Sequence, residues 1–320
     1  MLRHPTTKPF VTPRQSTAFI ATLALLFATA VHASGTAEFA VEEIASGVYL
    51  HRGAVADIDS PARADSANIG FIVGRECVAV IDSGGAIDTG RALKAAITSV
   101  TALPVCYVIN THVHFDHVLG NGAFADGKVR FVGHAELADV LFANREFFAE
   151  NFVTELHGTA GDGPVTQPDL HVEAQLELDL GGRTLLLVAH RTAHTTTDLT
   201  VYDPHTTTLW TGDLLFRERL PLLDGSLHGW LSWMALAMTN TYAVVVPGHG
   251  PPDPAWPSGA QSQLRYLRAL RDDTRTAIAA GQLIEDAQAT VAAEELAHWV
   301  LRERAHRVNV SRAYRELEWE

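Results

Sequence analysis

Cysteine is almost missing: Cys77 and Cys106 are the only two in 320 residues. Both lie in apolar, strand-like runs, Cys77-Val78-Ala79-Val80-Ile81 and Val105-Cys106-Tyr107-Val108, outside the loops that gather ionisable groups. That setting excludes a thiol nucleophile and predicts two buried thiols, because a bridge between adjacent strands demands tight geometry. Basic residues are also scarce, 24 against 37 acidic ones. A surface this acidic repels nucleic acid and anionic membranes. There is no Gly-x-Ser-x-Gly and no glycine loop ending in Lys, which excludes the usual serine-hydrolase and phosphate-cradling chemistries. No internal repeat and no long Pro/Ser tract divides the chain, so one large α/β domain is predicted.

The one long hydrophobic run is Ala18 to Val31, broken only by Thr22 and Thr29. Arg3, Lys8 and Arg14 precede it, and Val31-His32-Ala33 follows with small residues at cleavage spacing. This pattern predicts a signal peptide over residues 1–33, cut after Ala33, with residues 34–320 mature and periplasmic or secreted. Fourteen residues are too few to span a bilayer. No Cys follows for lipidation and the arginines are unpaired, so the general export route is predicted. Loss of three basic and no acidic residues takes the formal charge from −13 to −16.

What the chain does have is Thr111-His112-Val113-His114-Phe115-Asp116-His117, directly after the strand-like run Pro104-Val105-Cys106-Tyr107-Val108-Ile109. A loop leaving a strand end can aim His112 and His114 at one point and Asp116 and His117 at another. Imidazole and carboxylate at this density suit zinc or a similar first-row ion. Three more candidates lie where a strand meets a loop: His194 in Thr192-Ala193-His194-Thr195, Asp213 in Leu209-Trp210-Thr211-Gly212-Asp213, and His249 after Val246-Pro247-Gly248. Sites in sheet-based folds favour such strand ends. Singly, each is an ordinary surface His or turn Asp; with the first cluster they make a ligand set.

His-x-His-x-Asp-His, a distal His, Gly-Asp and Pro-Gly-His-Gly, in that order, resemble the metallo-β-lactamase superfamily. The resemblance implies a four-layer αββα sandwich. It assigns His112, His114 and His194 to one metal, Asp116, His117 and His249 to a second, and Asp213 to both. Asp82, at the end of Ala79-Val80-Ile81, matches the strand-end Asp of that superfamily, which holds ligands in place without binding metal. Phe115 departs from the small residue, Pro or Ala common there, which affects the floor of the site. Ala67-Asn68-Ile69-Gly70-Phe71-Ile72-Val73-Gly74, Thr211-Gly212-Asp213-Leu214-Leu215-Phe216, Leu223-Asp224-Gly225-Ser226-Leu227 and the tail Glu316-Leu317-Glu318-Trp319-Glu320 are more specifically similar to quinoprotein relay system zinc metallohydrolases. That likeness implies an exported quinoprotein dehydrogenase as partner.

Along the mature chain, strand pairs are predicted within 38–52, around Ser46-Gly47, and within 67–82, around Gly74-Arg75-Glu76. A helix is predicted over 90–100, a strand over 129–133 and a helix over 135–149. Strands follow at 171–180, 184–189, 199–202 and 208–210. A helix near 229–239 leads to the last ligand strand, and helices follow from 259, broken at Gly281. The irregular stretch 151–169 is expected to drape near the metals and shape the substrate mouth. Tyr107 is read as core. Arg217 and Arg219, just after Asp213, could bind a substrate carboxylate but are read as a solvated loop; His157 and His228 could reach the site but are read as surface residues, and His298 and His306 as surface or helix-packing residues. His134 is a lesser candidate for supporting the site.

Two zinc ions, with iron or manganese as substitutes, can share a bridging hydroxide that exists at neutral pH. Asp116 would orient it, giving hydrolysis of an ester, thioester, lactone or amide-like bond in a small molecule. A mononuclear iron persulfide dioxygenase uses part of this set, but the intact Asp116, His117 and His249 argue against it. A zinc β-lactamase generally lacks an equivalent of Asp213. Glyoxalase-II-like thioester hydrolysis shares all seven ligands but acts on a mainly cytosolic conjugate, which conflicts with export. A non-catalytic accessory protein would have little need of the complete set.

Overall fold

Alternating apolar residues and two glycine turns start the fold. Glu42–Ala45 (β1) and Val48–His51 (β2) pair around Ser46-Gly47, and Ile69–Val73 (β3) and Val78–Ile81 (β4) pair around Gly74-Arg75-Glu76. Gly47 takes φ +68°, a conformation that costs glycine little. The chain then changes to parallel crossovers. Helix α1 (Ile87–Val100) leads to β5 (Val105–Ile109). The short helix α2 (Phe115–Val118) precedes β6 (Arg130–His134), and α3 (Leu137–Ala143) and α4 (Arg145–Asn151) precede β7 (Leu170–Val172). These strands form one seven-stranded sheet in sequential order.

A second, five-stranded sheet is ordered β12-β11-β10-β9-β8. It contains β8 (Gln175–Asp179), β9 (Thr184–Ala189), β10 (Leu199–Asp203), β11 (Thr208–Phe216) and β12 (Val244–His249). Its one parallel pair, β11 with β12, is joined through α5 (Leu227–Ala237). The tail is helical: α6 (Gln261–Ala279), α7 (Ile284–Thr290) and α8 (Arg302–Leu317). This computed structural model describes residues 1, 2, 5, 7–9, 39–158 and 165–320, with Phe39–Glu320 as one unit. Apart from six positions, the signal peptide predicted over 1–33 lies outside the described residues. No described helix is long and apolar enough to cross a membrane.

Side-chain alternation along the strands makes the layers. In β4, Ala79 and Ile81 face one way, and with Ile72 and Ile109 they pack on Leu185, Leu187, Val201 and Trp210 of the second sheet. Val78 and Val80 face the other way, onto Leu93 and Ile97 of α1. The outer face of the second sheet is covered by α5, α6 and α8 through Trp230, Leu267 and Val310. The result is a helix–sheet–sheet–helix sandwich, the predicted architecture.

Four expectations need correction. The single strand predicted over 171–180 is two: β7 pairs with β6, whereas β8 pairs with β9 in the other sheet, so Glu173-Ala174 is where the chain changes layers. The helix predicted over 135–149 breaks at Asn144, whose side-chain amide donates to Val140 O in the turn before. The strand predicted at 208–210 runs on to Phe216, buried throughout. Cys77 and Cys106 are not free thiols but a disulfide. β4 and β5 are parallel neighbours, and a register irregularity leaves Cys106 between the pairs Val78–Val105 and Ala79–Tyr107. This brings the two Cα atoms to 5.8 Å, within bridging range.

The bridge closes a loop 29 residues apart in sequence. The double variant Cys77→Ser/Cys106→Ser is therefore expected to lose about 2–4 kcal/mol of stability in urea unfolding under oxidising conditions. A loss that vanishes when the wild type is assayed with reductant would confirm the assignment.

Candidate metal centre

Both sheets deliver their strand ends to one edge. β5 stops at Ile109, and the next residues are tied down before any ligand appears. Asn110 and Asn121 exchange amide hydrogen bonds, Nδ2 to Oδ1 in both directions, at 3.1 and 2.7 Å. Asp82, one residue past β4, accepts from Thr111 N, Thr111 Oγ1 and His117 Nδ1, each at 2.8 Å. Thr111 Oγ1 in turn lies 3.0 Å from His112 Nδ1, which donates to it. One buried carboxylate thus fixes two imidazoles, the role predicted for Asp82. α2 begins at once, placing Asp116 and His117 in its single turn.

Asp213 arrives from within β11, and two glycines give it room. Gly212, at φ +51°, packs against Thr111, and a Cβ on Gly248 would fall on Asp213 Oδ1. His249 ends β12, and its Nδ1 donates to Ser66 O at 2.8 Å. His194 stands in the β9–β10 loop with Nδ1 donating to Leu222 O at 2.7 Å.

All seven predicted ligands converge. His112, His114, His194 and Asp213 form one group able to hold a metal ion, and Asp116, His117 and His249 form another, with candidate ligand atoms within 4.8 Å of one another. Asp213 lies between the groups: its oxygens are 3.6 Å from His112 Nε2, 3.4 Å from His194 Nε2, 3.2 Å from His117 Nε2 and 3.3 Å from His249 Nε2. Asp116 is 3.4 Å from His249 Nε2. Every histidine spends its second ring nitrogen on an oxygen outside the centre. His114 does so with Nε2, toward Asp224 Oδ2 at 3.1 Å, and turns Nδ1 inward. Fixing one nitrogen this way sets the tautomer that leaves the other with a lone pair for metal.

Electrostatics divide the imidazoles: burial opposes charge on His112, His114, His117 and His194, yet Asp213 and Asp82 hold His117 well above its usual range and Asp224 holds His114 above it, so with no cation between the carboxylates these two rings supply the positive charge. Burial pushes His194 down to about 3 and His112 well below its usual range, so both stay neutral, as ligands must. Burial also opposes charge on Asp213, but His249 and His117 hold it well below the usual carboxylate range. His112 Nε2, His117 Nε2 and Asp213 Oδ1 are buried without a hydrogen-bond partner. Orphaned buried polar atoms are costly, and three of them within the two ligand groups fit bound metal. The donor set, imidazole and carboxylate without thiolate, suits zinc.

A cleft of about 610 Å³ opens over this centre. Its apolar wall carries Val113, Phe115, Phe147 and Phe148. No described residue of 151–169 lines it, contrary to the role predicted for that stretch. Phe152 instead stacks behind Phe115 at 4.7 Å, and Leu156 and Val165 pack beneath; residues 159–164 lie outside the description. Arg217 points away, onto Pro251 O and Pro252 O, while Arg219 lines the cleft. His157 pairs with Asp88, His228 with Glu320 and buried His306 with Tyr266. His134 bonds Glu136 N and makes no contact with the ligands.

Three supporting residues escaped the sequence reading: Ser66, which donates to Asp116 Oδ2 at 2.8 Å, Thr111, and Asp224. Asp224 also pairs with Arg312 of α8. Glu316 of α8 accepts from Leu227 N and His228 N at the start of α5, pinning the same loop.

An αββα sandwich with seven His and Asp side chains able to hold metal at one edge fits a class of metal-dependent enzymes, and sequence comparison names it. The metallo-beta-lactamase superfamily profile matches residues 62–274, and the chain belongs to that superfamily, whose members are typically metal-dependent hydrolases. No curated protein matches the sequence. Among solved structures it is similar to a metallo-beta-lactamase from Pontibacter korlensis (22% identity, 72% of this chain and 98% of that one, TM-score 0.58). It is also similar to the stereoselective inverting sec-alkylsulfatase Pisa1 from Pseudomonas sp. (18%, 88% of this chain but 50% of that one, TM-score 0.67) and to TMB-1 (18%, 72% and 96%, TM-score 0.56). At these identities the likeness is one of fold.

Asp224 holds His114 from across 110 residues of sequence. Asp224→Ala is expected to weaken metal retention about 10–100-fold in a chelator competition, with the far-UV spectrum unchanged. Unaltered retention would show that the Asp224–His114 bond does not matter to the centre.

Proposed function

We propose that residues 34–320 form an exported binuclear zinc hydrolase that cleaves an ester, thioester, lactone or amide-like bond in a small molecule. The observation that carries this reading is the pairing of a complete seven-ligand set with an outer oxygen partner for each of its five histidines. When bound, two zinc ions supply Lewis acidity and a water-derived nucleophile at neutral pH.

The chain's own groups do the rest. Asp213 faces both ligand groups, Oδ2 toward His112, His194 and His249 and Oδ1 toward His117, so it would help to hold both ions. Asp116 resists burial and stays ionised because His117 and His249 lower its pKa. With Oδ2 already accepting from Ser66, Asp116 is held at the cleft floor, where it orients the attacking water. The phenylalanine wall admits the hydrocarbon part of a substrate and excludes bulk water from that side.

The presence of all three second-group ligands favours hydrolysis over the iron persulfide dioxygenase, and Asp213 among the ligands disfavours a dedicated β-lactamase. The N-terminal charge-then-apolar pattern and the Cys77–Cys106 bridge both support an oxidising, exported setting. The similarity of several segments to quinoprotein relay system zinc metallohydrolases supports service beside an exported quinoprotein dehydrogenase.

The zinc-loaded mature chain is expected to turn over at least one member of a panel of lactones, thioesters, formyl esters and β-lactams. Asp116→Ala should lower kcat by roughly 10²–10⁴-fold. Unchanged turnover in that variant would remove Asp116 from the mechanism.

A further inference from the structure

Asn309 of α8 is fully buried, and its amide grips the main chain on both sides of one residue. Its Nδ2 donates to Pro221 O at 2.7 Å, and its Oδ1 accepts from Leu223 N at 2.8 Å. The residue between them is Leu222, whose carbonyl accepts from His194 Nδ1. Asn309 Nδ2 donates also to Tyr266 Oη at 2.9 Å, and that hydroxyl donates to His306 Nδ1 at 3.1 Å. Both polar atoms of the amide are thus committed, and neither a flipped amide nor an apolar side chain would hold this stretch in the same way.

The same helix grips the loop twice more. Arg312 pairs with one carboxylate oxygen of Asp224, whose other oxygen accepts from His114 Nε2. Glu316 accepts from Ser226 Oγ, Leu227 N and His228 N. Positions 309, 312 and 316 are three and four residues apart, the spacing of one helix face. On its inner side the loop docks on the His194 segment: Asp224 N donates to His194 O and Ser226 N to Ala193 O. A Cβ on Gly225 would fall on Ala193 O, so the two segments touch closely. The second ligand group uses none of this. His117 leans on Asp82, and His249 and Asp116 lean on Ser66. Of the first group only His112 shares the Asp82 support, through Thr111. His114 and His194 are held from the helical tail.

We propose that Asn309 is the positioning residue for His194, and that α8 through it sets how tightly the His112–His114–His194 group holds its ion without setting the other. This rests on the two-ion part of the reading above. Asn309 acts through the Leu222 carbonyl, which keeps the ring proton on Nδ1 and leaves Nε2 a lone pair. With that carbonyl released, the His194 ring can turn and take either tautomer, and the first ion loses one of its anchors.

Two readouts on the purified protein test this. In metal-free protein, nitrogen-15 NMR of the histidines reads the His194 ring. The wild type is expected to show the proton fixed on Nδ1, and Asn309→Ala a mixture of tautomers. Cobalt(II) is then titrated into the stripped protein against a chelator, with visible absorption reporting uptake and the hyperfine-shifted imidazole N–H protons reporting which group is filled. Asn309→Ala should weaken one ion about 10–100-fold and leave the other within about threefold, with the His114 and His194 signals lost before those of His117 and His249. Asn309→Asp, which keeps an acceptor for Leu223 N but loses the donor to Pro221 O, should fall between. Leu270→Ala, in the core of the tail but outside this network, controls for lost stability in urea and should leave the two affinities in their wild-type ratio. An unchanged His194 tautomer in Asn309→Ala, equal weakening of both ions, or the same selective loss in Leu270→Ala overturns the inference. A wild type that takes up a single cobalt ion, with the His194 tautomer still dependent on Asn309, keeps the positioning role and removes the two-ion reading. Two ions held equally well by the wild type and Asn309→Ala do the reverse.

Discussion

A carboxylate sealed from water among imidazoles governs this structure. Asp213 is buried, ionised and within 3.6 Å of four imidazole nitrogens that belong to two different ligand groups. An isolated buried carboxylate would cost many kcal/mol, so it persists only beside compensating positive charge. Much of the local chain exists to permit this arrangement. Gly212 and Gly248 clear the space, Thr111 packs against the first, and Asp82 holds Thr111 and His117. The two sheets contribute jointly: the ligands at 112–117 belong to the first and Asp213 and His249 to the second, so the inter-sheet core of Ile81, Ile109, Trp210 and Val246 keeps the centre assembled.

From that constraint the outer parts acquire a purpose. α8 packs on α6 and α7, burying Val310 and Ala313, and it supplies Arg312 to Asp224 and Glu316 to the start of α5. The helical tail is thereby coupled to His114 through Asp224. The cleft above the centre is apolar where α3 and α4 approach it, and on the α8 side Ala305 and Val308 stand beside Arg304 and Arg312, each paired to an aspartate. The disulfide lies at the opposite end of β4 and β5 from the ligands, where it ties two parallel strands that the site depends on.

The candidate ligands were legible because metal binding concentrates rare residue types in short, strand-flanked patterns, and His112 to His117 is dense enough to read alone. Layer order was legible only through family likeness, since alternation reports which face a residue takes and not which sheet it joins. That is why 171–180 reads as one strand: its apolar spacing continues across Glu173-Ala174 while the chain passes between sheets. The roles of Ser66, Thr111 and Asp224 were invisible for another reason. Each acts through a hydrogen bond to a residue distant in sequence, Ser66 to Asp116, Thr111 to Asp82 and Asp224 to His114, and a single Ser, Thr or Asp in a loop carries no local mark of its partner. The Cys77–Cys106 bridge likewise depends on a strand pairing and a register irregularity that no local pattern announces.

The central claim is that Asp213 stands between two cations. Anomalous diffraction at the zinc edge from crystals of the mature protein tests it most directly. The account predicts two peaks, one against His112, His114 and His194 and one against Asp116, His117 and His249, with Asp213 touching both. A single peak, or none at saturating zinc, would contradict it.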